Sequence, residues 1–179
     1  SVRWGPLEIG DLHDTSRLIE LFNKYNPLGV IHFASSAYVG ESMIKPFKYY
    51  ENNVGGTLSL LGAMRATHIK NIVFSSTCAT YGVPDLKIIS EECPQNPINP
   101  YGKSKLMIEN ILADLARVGD INQISLRYFN AAGDDRDGEI GELHDPETHL
   151  IPLAIFSANG GSQLKVFGSD YATSDGSAV

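Results

Sequence analysis

The sequence predicts an α/β fold in which helices flank a parallel sheet. Two short, nearly continuous apolar runs, residues 29–34 and 72–76, are typical of strands buried on both faces of such a sheet. Residues 124–130 predict a third strand. Segments with apolar residues at helical spacing lie between these runs. This alternation of strand and helix indicates βαβ units with right-handed crossovers.

Before the first of these strands, the sequence predicts a strand end and a helix. Residues 7–10 have the character of the last residues of a strand. After a short loop, a helix begins that either Asp14 or Thr15 could cap, and it stops before Pro27.

Two loops and two helices are predicted in the middle of the chain. Residues 35–42 predict a loop, residues 46–65 a helix with one apolar face, and residues 82–99 a long proline-containing loop. The next helix begins at Pro100, because proline suits the first turn of a helix. Its buried face is predicted from apolar residues at positions i, i+3, i+4 and i+7, which are Ile108, Ile111, Leu112 and Leu115.

The pattern changes after Asn130. Residues 133–147 are rich in Gly, Asp and Glu and predict a loop. Residues 150–158 predict a short helix, which the Asn-Gly-Gly sequence at 159–161 ends. Residues 164–168 predict a short strand.

Composition excludes several classes of protein. The net charge is −7 and Lys and Arg are not clustered, which argues against nucleic acid as a partner. No apolar run approaches the ~20 residues that cross a bilayer, and we expect no membrane partner. Cys78 and Cys93 form no disulfide framework. We interpret them as reduced thiols of a cytoplasmic protein, with a disulfide between them the less favoured alternative.

Tyr101 and Lys105 stand one helical turn apart, so that their side chains lie on the same face. A phenol with a reference pKa near ~10 is a poor base at neutral pH. A nearby ammonium stabilises the phenolate and lowers that pKa. Such a pair can remove a proton from a sugar or alcohol hydroxyl. The two-residue pattern is common by chance, and the rest of the chain must support it.

A glycine-rich turn is missing from the sequence. A dinucleotide-binding sheet normally opens with a strand, a turn with several glycines and a helix, and the sequence has no such glycine pattern. We therefore expect a fragment of a longer protein. We also expect this fragment to bind a dinucleotide poorly by itself, because the amides that hold the pyrophosphate are not in it.

Eight stretches of the chain together resemble one family. They are VIHFA, YVGES, YYENNVGGTL, FSSTCATYG, NPINPYGKSKLMIE, LRYFNAAG, GEIGELHDPETHLIPL and VFGSDYATSDG. In this order, from Asp11 to Gly176, they resemble the UDP-glucose 4-epimerases of the extended short-chain dehydrogenase/reductase family. They especially resemble the bacterial type found with exopolysaccharide synthesis. The family implies a Rossmann-like sheet and the cofactor NAD.

The resemblance implies a catalytic triad. Tyr101 would take the proton of the sugar 4-hydroxyl, Lys105 would bind the nicotinamide ribose and depress the tyrosine pKa, and Thr77 would hydrogen-bond the reacting oxygen. The implied reaction oxidises C4 of a UDP-hexose transiently to the ketone and reduces it again from the opposite face. NAD is regenerated in each cycle and stays bound.

The resemblance also implies contacts with the cofactor and the substrate. The cofactor residues would be Asp11, Leu12, Phe33, Ala34, Asn52, Tyr101, Lys105 and Tyr128. The substrate residues would be Thr77, Tyr101, Asn130, His149, Leu150 and Phe167.

The expected domains follow from these assignments. Residues 1–130 would form a partial NAD-binding domain with the catalytic helix, and residues 131–179 the start of the nucleotide-sugar region. The resemblance further implies a homodimer of the full-length protein, in which the helix around Leu58 pairs with the tyrosine-bearing helix.

Two departures from related sequences bear on the reaction. Related 4,6-dehydratases follow the threonine with Asp and Glu, whereas Cys78 and Ala79 follow Thr77 here. Neither can supply the acid or the base for elimination of water, which favours epimerisation. Some epimerases carry a lysine where this chain has Ala37, which leaves the preferred sugar open. The alternatives are a UDP-pentose 4-epimerase (arabinose/xylose) and a catalytically silent nucleotide-sugar binding relative.

Two groups of histidines have competing interpretations. His144 and His149 bracket carboxylates and could suit zinc, but Pro146 and the resemblance favour a structured loop near the nucleotide and no metal. His32, between apolar strand residues, is interpreted as a hydrogen-bonded core histidine.

Overall fold

A three-stranded parallel sheet organises the first 130 residues. The computed structural model describes residues 5–85, 88–133, 135–141, 144, 146–166 and 168–176. The strands run in the order β1-β2-β3, and both neighbouring pairs are parallel. This confirms the predicted parallel sheet with flanking helices. The strands are β1 (Gly29–His32), β2 (Asn71–Ser75) and β3 (Asn122–Leu126).

The helices that connect these strands follow the predicted alternation. A single-turn 3₁₀ helix, Cys78–Thr80, follows β2. The other helices are α1 (Thr15–Tyr25), α2 (Val39–Ile44), α3 (Pro46–Tyr49), a π-helical segment (Tyr50–Gly55), α4 (Gly56–Ala66), α5 (Pro100–Arg117) and α6 (Leu150–Ala158).

The hydrophobic core lies between one face of the sheet and the helices α4 and α5. Ile72 and Phe74 of β2 point into it and are 2% and 1% exposed. Met64 of α4 and Ile108 and Leu112 of α5 are fully buried against them. Burial of each such side chain stabilises the fold by about 1.5–3 kcal/mol. The apolar face predicted for α5 is the face that makes this core.

The opposite face of the sheet is open, so the prediction that the strands are buried on both faces is wrong. Ile31 of β1 is 65% exposed, and Ile124 of β3 is 59% exposed. Side chains alternate between the two faces of a strand, and α4 and α5 pack on one face. The apolar run alone could not indicate that the other face would be uncovered.

Side chains at helix starts fix two of the predicted boundaries. Asp14, not Thr15, caps α1, because its carboxylate accepts a hydrogen bond of 2.9 Å from the Arg17 amide. Asn99 caps α5 in the same way, with a 2.8 Å bond from the Gly102 amide.

Several predicted strand and loop boundaries are corrected. Residues 7–10 are not a strand, and the segment is held instead by Glu8, which bonds three side chains of α1. The loop predicted over residues 35–42 contains the start of α2. The strand predicted over residues 124–130 is displaced toward the N-terminus and ends at Leu126. The described residues of 164–168 are not in a strand.

The chain divides into two units, residues 2–130 and 131–179. In the second unit, α6 has the bounds predicted from its apolar run, and Asn159 follows its last turn. The functional assignment of the two regions stays a prediction. Among the described residues, no helix has both the length and the apolar character needed to cross a membrane.

Candidate active site

The first turn of α5 lies directly against the segment that follows β2. A Cβ atom on Gly102 would come within 2.6 Å of the carbonyl oxygen of Ala79 and 3.0 Å of Pro97. Real Cβ atoms do not approach backbone this closely, so glycine at this position allows the helix to pack here. The close approach brings Tyr101 to the end of β2.

Thr77 and Tyr101 meet at this junction. Thr77 is 8% exposed, and its hydroxyl accepts a 3.2 Å hydrogen bond from the Ala79 amide at the start of the 3₁₀ helix. The Thr77 side chain is close enough to the Tyr101 phenol to lower the pKa of that phenol. The two side chains predicted to hold one substrate oxygen therefore lie side by side.

Burial sets the acidity of the phenol. It raises the pKa of Tyr101, while the neighbouring Thr77 side chain lowers the pKa and the nearby Cys78 thiol raises it. The net direction is upward. The ammonium of Lys105 lies 5.9 Å from the centre of the phenol ring and donates to the Ser75 carbonyl, and its part in lowering the pKa of Tyr101 stays a prediction.

Lys105 is a buried cation behind the phenol. It is 2% exposed, and its Nζ donates a 2.8 Å hydrogen bond to the carbonyl of Ser75 at the end of β2. The same Nζ lies 4.9 Å from the centre of the Phe74 ring. Burial lowers the pKa of Lys105 to about 8. An ammonium has three donor hydrogens, so the carbonyl does not exhaust its capacity to bind a hydroxyl.

A buried amide that sequence reasoning missed ties the end of β1 to α5. Asn53, 1% exposed, accepts a 2.7 Å hydrogen bond from the Ser36 amide and donates a 3.0 Å bond to the Ser104 hydroxyl. Ser104 donates in turn to the Tyr101 carbonyl at 2.7 Å. Asn53 belongs to the π-helical segment, and π-helices are frequent at functional sites. No sequence pattern announced this link.

Three of the predicted cofactor residues lie at the carboxyl ends of the strands. Phe33, directly after β1, is 64% exposed, and Ala34 is also exposed. Tyr128 follows β3 and is 38% exposed, and its carbonyl accepts a 2.8 Å bond from the Cys78 amide. This edge of a parallel sheet is where ligands bind in open α/β folds.

The other predicted cofactor residues outside the triad lie before α1 and in the π-helical segment. The Asn52 amide donates a 3.2 Å bond to the Ser36 hydroxyl, just after β1. The exposed Asp11 carboxylate accepts a 2.8 Å bond from the His13 amide. Leu12 packs on α4, where a Cβ on Gly56 would come within 2.8 Å of it.

The predicted substrate residues outside the triad are spread over both units. Asn130 is exposed at the end of the first unit. His149 precedes α6, whose first residue Leu150 is 68% exposed. Phe167 lies outside the described residues.

The histidines considered for zinc do lie together. One ligand atom from each of His144, Glu147 and His149 falls within 4.8 Å of the others. One carboxylate oxygen of Glu147 accepts hydrogen bonds from the Thr148 amide, the His149 amide and the His149 ring at 2.7–2.9 Å. This geometry favours the loop interpretation over a metal site, and the absence of a metal stays a prediction.

His32 is buried as predicted. It is 4% exposed, its Nε2 lies 2.9 Å from the Thr57 hydroxyl, and its ring packs on Phe74. Burial, with a smaller contribution from the Lys105 charge, lowers the pKa of His32 to about 4. It is a neutral core residue at physiological pH.

Curated proteins and solved structures resemble this chain over nearly all of its length. It is 54% identical over 179 residues to the UDP-glucose 4-epimerase of Rhizobium leguminosarum bv. trifolii, covering 99% of this chain and 55% of that protein. The chain therefore spans about half the length of the curated relatives that it matches.

Two crystal structures have the same fold. UDP-glucose 4-epimerase from Brucella ovis in complex with NAD is 56% identical with a TM-score of 0.91, over 97% of this chain and 54% of that one. UDP-glucose 4-epimerase from Bifidobacterium longum in complex with NAD⁺ and UDP is 40% identical with a TM-score of 0.86, over 94% and 52% of the two chains.

One family accounts for almost the whole sequence. Residues 3–178 match the family described as NAD dependent epimerase/dehydratase, in agreement with the resemblance found from the sequence motifs. The chain belongs to the NAD dependent epimerase/dehydratase family.

Proposed function

We propose that the full-length protein containing this chain interconverts UDP-glucose and UDP-galactose by inversion at C4, with bound NAD. The observation that carries the proposal is the meeting of Thr77, Tyr101 and Lys105 at the carboxyl end of β2. The relatives named UDP-glucose 4-epimerase support the choice of substrate.

The residues at the strand ends suit a dinucleotide. Exposed Phe33 and Tyr128 offer surface for flat rings at the edge where such cofactors bind. The Lys105 ammonium has donor hydrogens for the hydroxyls of a ribose. Bound NAD would supply the acceptor and later the donor of the C4 hydride.

The triad would handle the proton of the substrate. C4–H is not acidic, because no carbonyl neighbours it, so the hydroxyl must be oxidised before the configuration can change. Tyr101 would take the 4-hydroxyl proton and Thr77 would hydrogen-bond the same oxygen. Because burial raises the pKa of Tyr101, the phenolate needs a nearby positive charge, and Lys105 is the cation that the fold holds beside it.

The residues after Thr77 support epimerisation over elimination. Cys78 and Ala79 occupy the start of the 3₁₀ helix, where a dehydratase would need an acid and a base. A thiol and a methyl group supply neither at neutral pH.

A homodimer is the assembly that we propose. A groove of about 510 Å³ lies between α4 and α5, with Leu58, Leu61, Ile111 and Leu115 on its walls. Leu58 is 52% exposed although it is apolar. A second copy would bury this surface by pairing the same two helices. Leu58→Glu should then convert the dimer to a monomer in light scattering, and a dimer that persists would contradict this assembly.

We also expect a cytoplasmic location, because Cys78 and Cys93 are free thiols.

The decisive experiment is a UDP-galactose assay on the full-length protein. Tyr101→Phe should lower turnover by about 10³-fold, because it removes the base. Tyr25→Phe is the matched control, because Tyr25 lies in α1 and its hydroxyl donates a hydrogen bond to Glu8 of the N-terminal segment. A wild-type protein that binds UDP-sugars without turnover would instead be a silent relative. Faster turnover of UDP-arabinose than of UDP-galactose would favour the UDP-pentose alternative.

A further inference from the structure

A buried carboxylate lies one helical turn beyond Lys105, on the side of α5 that faces the sheet. Glu109 is 7% exposed. Arg127, just after β3, contacts both of its oxygens through Nε at 3.1 Å and one of them through Nη2 at 2.7 Å. Gln95, in the loop before α5, donates a further hydrogen bond to this carboxylate at 3.0 Å.

The remaining partner of this carboxylate is the Ser76 hydroxyl, which donates a short hydrogen bond to Glu109. Burial alone would raise the pKa of Glu109, but the bonds from Arg127, Ser76 and Gln95 hold it below its usual range. The group is therefore ionised at neutral pH and is a fixed acceptor for Ser76.

Ser76 stands between the two residues through which the end of β2 reaches the site. On one side, the Ser75 carbonyl accepts the hydrogen bond from Lys105. On the other side, the Thr77 side chain lies beside the Tyr101 phenol and lowers its pKa. Ser76 itself is 3% exposed, and its amide continues the pairing with β3 through a 2.9 Å bond to Leu126.

Arg127 extends the connection away from the site. Its Nη1 donates to the Tyr81 hydroxyl at 2.8 Å and to the Glu91 carbonyl at 3.3 Å. One carboxylate thus joins α5 to the ends of β2 and β3 and to the loop before α5.

We propose that Glu109 is a positioning residue: through Ser76 it sets the distance between the strand end that carries Thr77 and the helix that carries Tyr101 and Lys105. Among the described residues, no hydrogen bond joins Glu109 to the Tyr101 phenol or to the Lys105 ammonium. Glu109 acts instead by holding the backbone of residues 75–77 against α5 through its bond with Ser76. The inference rests on the proposed function, because it assigns Glu109 a part in the reaction of the same triad.

Ser76→Ala isolates this link, because it removes the hydroxyl and leaves the Glu109–Arg127 pair in place. In the full-length protein with UDP-galactose, we expect kcat to fall about tenfold with KM within about twofold, since small misplacements of reacting groups cost rate. Gln95→Ala is the matched control, because it removes a bond to the same carboxylate from the loop side. Its kcat should stay within about twofold.

A pH profile separates positioning from a general loss of stability. The groups that face Tyr101 are Thr77, Cys78, Lys105 and the Tyr49 ring. Since the Thr77 side chain lowers the pKa of Tyr101, loosening Thr77 should raise it. The acidic limb of kcat should therefore move to higher pH in Ser76→Ala and remain in place in Gln95→Ala. Ser76→Cys, which replaces the hydroxyl with a weaker donor, should behave like Ser76→Ala.

The outcomes are distinguishable. A wild-type protein active on UDP-galactose whose Ser76→Ala variant keeps its kcat and its pH profile would overturn the inference and leave the proposed function intact. Equal losses in Ser76→Ala and Gln95→Ala would also overturn it, because they would show a structural effect only. A wild-type protein without turnover of any UDP-sugar would overturn the proposed function and the inference with it.

Discussion

Two buried charges stand one turn apart on α5, and the fold treats them differently. Glu109 is surrounded by donors, including a guanidinium that pairs with both of its oxygens. Among the described residues, no carboxylate pairs with Lys105, whose ammonium donates a hydrogen bond to the neutral carbonyl of Ser75. Burial consequently lowers the pKa of Lys105. The hydrogen-bonding partners of Glu109, in contrast, keep Glu109 ionised.

We interpret the difference as that between a structural charge, Glu109, and a charge with the proposed catalytic role, Lys105. A buried charge that is fully paired holds structural elements together. Removing one partner destabilises the fold, because it leaves the other charge buried without a counter-charge. A buried cation without a counter-ion costs stability, and such a cost is typical of functional sites. We therefore expect loss of Lys105 to affect turnover and loss of Glu109 to affect the free energy of unfolding as well.

The largest expected effect is on catalysis. Lys105→Met in the full-length protein should lower kcat with UDP-galactose about a hundredfold to a thousandfold, because the phenolate loses its cation. The melting temperature should stay the same or rise, since an uncompensated buried charge is removed. Lys103→Met, two residues away and exposed, is the control. Full turnover in Lys105→Met would remove the distinction between the two charges.

The second effect is on stability. Glu109→Ala should lower the free energy of unfolding by about 3 kcal/mol, because Arg127 is left without its carboxylate. Urea denaturation measures this change. Asp114→Ala breaks the exposed pair with Arg117, whose side chains are 70% and 73% exposed, and should change the midpoint little. Similar urea midpoints for the two variants would show that the Glu109–Arg127 pair stabilises the fold no more than the exposed pair does.

The third effect is on the pH dependence of stability. The pKa of Lys105 falls from 10.5 in the unfolded chain to about 8 in the folded one. Between these two values only the unfolded chain keeps the proton, so stability should rise with pH in this window. Relative to Lys105→Met, the apoprotein should gain up to about 3 kcal/mol between pH 8 and 10.5. Parallel stability curves for the two proteins would contradict the lowered pKa.

The smallest expected effect is a change in the pKa of His32 when the Lys105 charge is removed. Burial is the main reason why the pKa of His32 lies at about 4, and the Lys105 charge lowers it further. In Lys105→Met the pKa of His32 should move upward, as an NMR titration of its ring would measure. An unchanged titration would mean that the charge of Lys105 does not reach the core.

The same comparison shows what the sequence could predict. Local signals were sufficient for the start of α5 and for both ends of α6: Asn99 and Pro100 begin α5, and an apolar run before Asn-Gly-Gly defines α6. The meeting of Thr77 with Tyr101 followed from motifs of a known family. In contrast, the partner of Glu109 comes from the end of another strand, and no local pattern pairs it with Arg127.

Other features escaped sequence reasoning for similar reasons. α2 spans only Val39–Ile44, too short for a helical period to be recognised. Whether a sheet face is open depends on which elements pack on it. An apolar strand has the same sequence pattern whether or not a helix covers its second face. Residues 7–10 lack a strand because a strand needs a hydrogen-bonded neighbour, whereas Glu8 holds them on α1.

The close packing at Gly102 affects how a mutational scan of this region would be interpreted. Gly102 carries no chemical group, yet even alanine there would push α5 away from the Ala79 carbonyl and part the phenol from the threonine. Every replacement at this position would score as a loss of enzyme activity. Ranked by phenotype alone, a residue that never touches a reactant would be mistaken for part of the reaction chemistry.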